Sequence, residues 1–129
     1  MLTKQKGDVA LGVAISYFLS QGYEVCLPIG DKRDYDLVVE RSGGLARVQV
    51  KYGGLYRNKA KCTVALRVMG GNQSFYSAKE YASDAFDYLF VHTAKGETYV
   101  LPWNDDIIGK SALSIEAPKY REYQVITQG

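Results

Sequence analysis

The chain has 129 residues, 47% of them hydrophobic and 23% charged, which is enough apolar material for one globular domain. No apolar run approaches the roughly 20 residues of a bilayer span, and Met1-Leu2-Thr3-Lys4 has no signal-peptide pattern, so a cytoplasmic protein is expected. Two cysteines, Cys26 and Cys62, and a single histidine, His92, exclude a disulfide scaffold and nearly exclude a zinc centre; the thiols are expected to be half-buried.

In chain order, Val9, Val13, Ala14, Ile15, Phe18 and Leu19 are spaced for an amphipathic helix over 7–20, ended by Gln21-Gly22. Three extended runs follow: Tyr23–Ile29, Tyr35–Glu40 and Leu45–Tyr52. Pro28 marks the end of the first, and Ser42-Gly43-Gly44 joins the second and third as a hairpin. A basic loop, Gly53–Lys61, leads to a strand at Cys62–Met69, a turn at Gly70-Gly71-Asn72 and a short helix at Ala78–Ser83. Tyr88–Thr93 and Thr98–Trp103 form a second hairpin across Ala94-Lys95-Gly96. Asn104 or Asp105 caps a short helix through Lys110, and Glu122–Ile126 is a late strand. The fold class is α/β or α+β, with an N-terminal helix followed by a central mixed sheet and a basic β-hairpin extension. Trp103 and Tyr88 are assigned to a core or an interface, and His92 to a structural role.

The net charge of +2 hides an asymmetry. Between Arg41 and Lys79 stand eight basic residues (Arg41, Arg47, Lys51, Arg57, Lys59, Lys61, Arg67, Lys79) and no acid, so the remaining eight basic and fourteen acidic residues sum to −6. Like charges crowded in this way favour a polyanionic partner through counterion release. Tyr52, Tyr56, Phe75 and Tyr76, with the amides of Asn58, Asn72 and Gln73, add stacking and base-edge contacts to that stretch.

With Gly43-Gly44 at the centre of the hairpin turn, Glu40 opposes Arg47 and Asp36 opposes Lys51. A register slipped by two residues instead sets Gln49 directly opposite Asp36. In either case Asp36, Gln49 and Lys51 share one face, and Leu37, Val48 and Val50 share the other. A carboxylate and an amide oxygen suit a hard divalent cation, which would acidify a water, while an ammonium beside them can orient that water or neutralise charge on a phosphate. The same spacing also fits a surface Asp–Lys pair beside a glutamine.

The arrangement Tyr35-Asp36-Leu37-Val38-Val39 followed by Arg47-Val48-Gln49-Val50-Lys51 resembles the core of PD-(D/E)XK nucleases, found in restriction enzymes and archaeal junction resolvases. Gln49 stands where an acid is usual. Lys6-Gly7-Asp8 at the helix start and Gly22-Tyr23-Glu24-Val25 are similar to the homing endonucleases of this family encoded by cyanobacterial group I introns. The likeness covers about residues 6–52, with a weaker extension from Tyr88 to Pro102. It implies one restriction-endonuclease-like domain over 1–129, with its core at about 6–52 and 78–110 and a DNA-reading segment at about 53–77. It further implies Mg2+-dependent hydrolysis of duplex DNA by a homo-oligomer, a dimer or tetramer. By position Asp36 and Gln49 become metal ligands, the Val50 carbonyl an additional ligand, and Lys51 the catalytic lysine.

The family usually carries a glutamate on the first helix, and the aligned catalytic position here is Leu11. Asp8 is the nearest candidate for the missing charge. Without the helix acid only Asp36 is anionic, so this chain, whether by natural divergence or by a substitution, is expected to bind DNA and cut it slowly or not at all. Tyr56, Arg57, Lys59, Lys61, Arg67, Gln73 and Ser74 are the expected DNA contacts, on a two-stranded ribbon suited to the major groove. A non-catalytic DNA-binding module and a Holliday-junction-resolvase-like nuclease are the competing functions.

Overall fold

The computed structural model describes residues 2–30, 32–57, 59–68 and 79–127. It opens with helix α1 (Thr3–Ser20), which begins earlier than periodicity predicts because Gln5 Oε1 accepts the free N–H of Leu2 (3.0 Å) and so supports a first turn without apolar residues. The helix buries Ala10, Ala14 and Phe18, whereas Val9 and Leu19 are exposed. Two alanines at i and i+4 let the helix backbone approach the sheet closely.

Among the described residues the helix is followed by strands β1 (Glu24–Cys26), β2 (Leu37–Arg41), β3 (Gly44–Gly53), β4 (Thr63–Ala65), β5 (Arg67–Val68), β6 (Lys79–Glu80), β7 (Tyr88–Thr93), β8 (Thr98–Pro102) and β9 (Ala112–Ser114). A 3-10 helix (Pro118–Tyr123) and β10 (Gln124–Val125) come after them. Six strands form the central sheet in the order β1-β2-β3-β7-β8-β10. Only β3 and β7 run parallel in it; the other neighbours are antiparallel. The sheet is therefore mixed and the domain α+β, with β4–β9 and β5–β6 as separate two-stranded pairs.

Several expected elements are corrected. The first extended run keeps only Glu24–Cys26 as strand, leaving Leu27 and Ile29 exposed. The run at Cys62–Met69 divides at Leu66, whose N–H donates to Ser111 O (2.9 Å), so β4 and β5 pair with different partners. Over the expected helix at Ala78–Ser83, the described residues form β6, then Tyr81 and Ala82 without regular structure, and a turn that starts at Ser83, where the Ala85 N–H donates to Ala82 O (3.2 Å). Residues 104–109 are successive turns, with the N–H groups of Ile107 and Ile108 both donating to Asn104 O (2.9 and 2.9 Å). The late strand shrinks to β10 because the 3-10 helix takes its first residues. Cys62 is wholly buried and Cys26 exposed, so neither is half-buried.

The β2–β3 hairpin adopts the slipped register. Leu37 pairs with Val48, Val38 with Arg47 and Arg41 with Gly44, so the turn is centred on Ser42-Gly43. Both carry positive φ, 54° and 80°, as a two-residue hairpin turn matching strand twist requires. Glu40 consequently opposes Leu45, not Arg47. Arg47 instead meets Asp87, through its backbone N–H (2.8 Å) and its Nε (3.3 Å).

The two faces of the sheet carry separate cores. α1 covers Leu37, Val39, Val48, Val50 and Phe90 on one face. On the other, Leu89, Val91, Tyr99 and Leu101 pack with Val64, Leu113, Ile115 and Trp103. His92 lies in the sheet with Nδ1 3.0 Å from Thr98 Oγ1, a structural contact as expected. Among the described residues no helix is long and apolar enough to cross a membrane.

Candidate active site

β3 runs on beyond the start of β2, so its edge past Val48 has lost its antiparallel partner. Asp36, just before β2, occupies this opening. Its N–H donates to Val48 O (2.8 Å), and its Oδ2 accepts the N–H of Val50 (2.8 Å). The carboxylate thus replaces the carbonyl that a longer β2 would have offered. A strand residue projects its N–H and C=O from the same edge, so the Val50 carbonyl points toward the same opening.

Gln49 and Lys51 project from the sheet face opposite α1. Gln49 is 8% exposed, and its Nε2 donates to the hydroxyl of Tyr81 (3.4 Å). With that end of the amide committed, the oxygen is the end available to a cation. Lys51 is half-buried, with Nζ 5.1 Å from the centre of the Tyr81 ring. Tyr81 is buried and meets Phe86 and Trp103 edge-on, at 5.2 and 6.2 Å between ring centres. Trp103 Nε1 donates to Ala82 O (3.1 Å) and ties down the backbone next to Tyr81.

Desolvation dominates the electrostatics. Burial raises the Asp36 carboxyl above its ordinary range, against the opposing pull of the Val50 N–H and the Lys51 ammonium. Burial likewise lowers the Lys51 ammonium, against the pull of Asp36. The Tyr81 hydroxyl is driven far up, first by burial and then by the carboxylates of Asp36 and Asp34, so it remains a neutral phenol. Among the described residues the ion pairs within contact distance are Arg47–Asp87 and Lys95–Glu116. Asp36 and Lys51 therefore face one opening without closing into a surface pair.

The oxygen donors that the hairpin brings together are the Asp36 carboxylate, the Gln49 amide oxygen and the Val50 carbonyl. This oxygen set fits a hard divalent cation, with little charge to hold it tightly. Among the described residues no group of three His, Cys, Asp or Glu side chains is arranged to hold a metal.

The structure brings together Asp36, Gln49, Val50 and Lys51. Leu11 is half-buried on α1 and packs against the apolar cluster that includes Leu37 and Val50, the chain neighbours of Asp36 and Gln49. Asp8 is exposed on the same helix. In the basic segment, Tyr56, Arg57, Lys59 and Lys61 are exposed, and Arg67 is half-buried on β5 opposite Glu80. Tyr56 folds its ring back over Gly54, close enough that a Cβ there would meet it at 3.3 Å. The strand part of the expected ribbon is not free, because Cys62, Val64 and Leu66 point into the core and β4 is paired to β9. Gln73 and Ser74 lie outside the described residues.

Tyr81 is the site residue that sequence reading misses. It stands thirty residues from Lys51 in a segment that reads as a short helix, and nothing in its local pattern signals the contact.

The sequence model of the PD-(D/E)XK endonuclease family matches residues 1–128. Among solved structures, a bacterial homing endonuclease, I-Ssp6803I, is similar at a TM-score of 0.77 and 26% identity, over 96% of this chain and 89% of that one. No curated protein sequence matches.

Proposed function

The chain belongs to the PD-(D/E)XK endonuclease family, and from that premise we propose that it is a homing-type enzyme that recognises a specific duplex DNA sequence and hydrolyses phosphodiester bonds with Mg2+. One observation carries this reading. At the open edge of β3, the Asp36 carboxylate accepts the Val50 N–H at 2.8 Å, which fixes it opposite Gln49 and on the face from which Lys51 projects.

Asp36, the Gln49 amide oxygen and the Val50 carbonyl would hold the cation. A bound Mg2+ supplies positive charge to the phosphate under attack and acidifies water. Lys51 orients the attacking water through its ammonium protons and offsets charge that grows on the phosphate oxygens. Asp36 keeps its orientation through the Val50 N–H, so the carboxylate need not reorganise as the phosphate enters. Tyr56, Arg57, Lys59, Lys61 and Arg67, with Gln73 and Ser74, contact the DNA backbone and base edges. Two copies related by a two-fold axis, or four, would double the footprint and bring one centre to each strand.

Leu11 limits the activity. Its side chain contributes to packing under α1 and no charge to the metal, so this chain holds Mg2+ weakly and cuts slowly or not at all. The same observation favours a second reading, a DNA-binding module that has lost catalysis. Nicking of a plasmid library with Mg2+ separates the two, comparing the chain with Leu11→Glu and Leu11→Glu/Lys51→Ala. Cutting that appears with Leu11→Glu and disappears again without Lys51 supports the nuclease. DNA binding without cutting in all three leaves the binding module.

A further inference from the structure

We propose that Tyr81 is a positioning residue for the metal site: its hydroxyl engages the nitrogen end of the Gln49 amide and thereby presents the oxygen end to the cation. This rests on the nuclease reading and deepens it.

The argument begins with the chemistry of glutamine at a position where an acid is usual. A carboxylate offers an oxygen whichever way its terminal torsion turns. An amide offers an oxygen in one orientation and an NH2 group, which repels a cation, in the other. A glutamine ligand therefore needs something to choose its orientation. Gln49 Nε2 donates to the Tyr81 hydroxyl at 3.4 Å, at a position where Gln49 is only 8% exposed and water is a poor substitute partner. A neutral phenol oxygen is a suitable acceptor for that N–H.

Tyr81 is itself held. Phe86 and Trp103 meet its ring edge-on, and Trp103 Nε1 anchors the carbonyl of Ala82 at 3.1 Å. The same ring lies 5.1 Å from Lys51 Nζ, so one fixed side chain touches both the ligand and the lysine. Partners of this kind, one bond removed from a metal, set ligand orientation, and their loss weakens the metal by an order of magnitude or more. Tyr81 also follows β6 directly, and β6 pairs with β5, the strand that carries Arg67. The basic segment thus returns to the sheet at the residue that orients Gln49.

The test is a double-mutant cycle of Tyr81→Phe and Gln49→Glu. Mn2+ affinity is read from the free-ion signal in electron paramagnetic resonance, and nicking kinetics are read in a Leu11→Glu background. Tyr81→Phe keeps the ring beside Lys51 and removes only the hydroxyl. Alone, it is expected to weaken Mn2+ binding and lower kcat about tenfold each, with KM for DNA unchanged and the side-chain amide resonance of Gln49 shifted. With Gln49→Glu the same change should cost less than about twofold, since a carboxylate needs no orientation. Equal losses in both backgrounds would make Tyr81 a packing residue and overturn the inference, as would no loss in either. Asp36→Ala separates this from the underlying reading: Mn2+ binding unchanged by Asp36→Ala would remove the metal site itself, and the role of Tyr81 with it.

Discussion

The two faces of β3 are built from the same ten residues, yet they are stabilised in different ways. On the α1 side, Val48 and Val50 are buried among apolar side chains, with Phe90 wholly enclosed and 5.7 Å from Phe18 between ring centres. On the opposite side, Gln49 is buried and Lys51 half-buried beside Asp36 and Tyr81, with each polar group answered by another polar group or by a ring. Alternation along one strand therefore supplies both a rigid support and a desolvated polar site. The apolar face tolerates the cost of the polar one, and this division is what lets the candidate centre sit on a sheet rather than on a loop.

The largest test of that division is Phe90→Ala. Phe90 is fully buried and packs against both Tyr17 and Phe18 of α1. Its truncation should cost about 3–5 kcal/mol in urea unfolding and loosen the support beneath the site. A loss under about 1 kcal/mol would mean that α1 is not the element that holds β3 in place.

A smaller effect is expected from Gly43→Val, which addresses the register that aligns the two faces. Gly43 has φ +80°, and a Cβ there would meet nothing within 4 Å, so any cost is conformational rather than steric crowding by neighbours. A β-branched residue in that region should cost about 1–2 kcal/mol, read by thermal or urea unfolding. An unchanged stability would show that the turn does not set the pairing of Asp36 with Gln49.

That turn also marks the limit of what the sequence makes legible. Two adjacent glycines invite a turn centred on both, because glycine adopts positive φ without cost. The chain instead places Ser42 at φ 54° and returns Gly44 to the strand, where it pairs with Arg41. Since the shift is by two residues, the assignment of side chains to faces survives, and with it the grouping of Asp36, Gln49 and Lys51. The Glu40–Arg47 pair does not survive, because Arg47 finds Asp87 through the parallel pairing of β3 with β7. That pairing, the docking of β4 on β9 and the approach of Tyr81 are contacts across long stretches of chain. Local patterns of hydrophobicity and turn residues contain no term for them. The membership in a nuclease family was legible because its motif lies within one hairpin.

The subtlest test concerns the sign of the polar face. Asp36 has its carboxyl raised by burial, with the Val50 N–H and Lys51 only partly offsetting it. A carboxyl raised in the folded state contributes stability that is fully present below its unfolded value and is lost as pH rises through the folded value. At neutral pH, in the absence of metal, the ionised Asp36 therefore works against folding. Asp36→Asn keeps an oxygen able to accept the Val50 N–H and removes the charge, so it should raise stability in urea unfolding at pH 7, while Mg2+-dependent nicking in the Leu11→Glu background is abolished. The gain should shrink as pH falls and the wild-type carboxyl takes up its proton. A variant less stable than wild type at pH 7 would show that the attraction to Lys51 outweighs desolvation, and the contrast between the two faces of β3 would then be one of chemistry without a difference in the cost of burial.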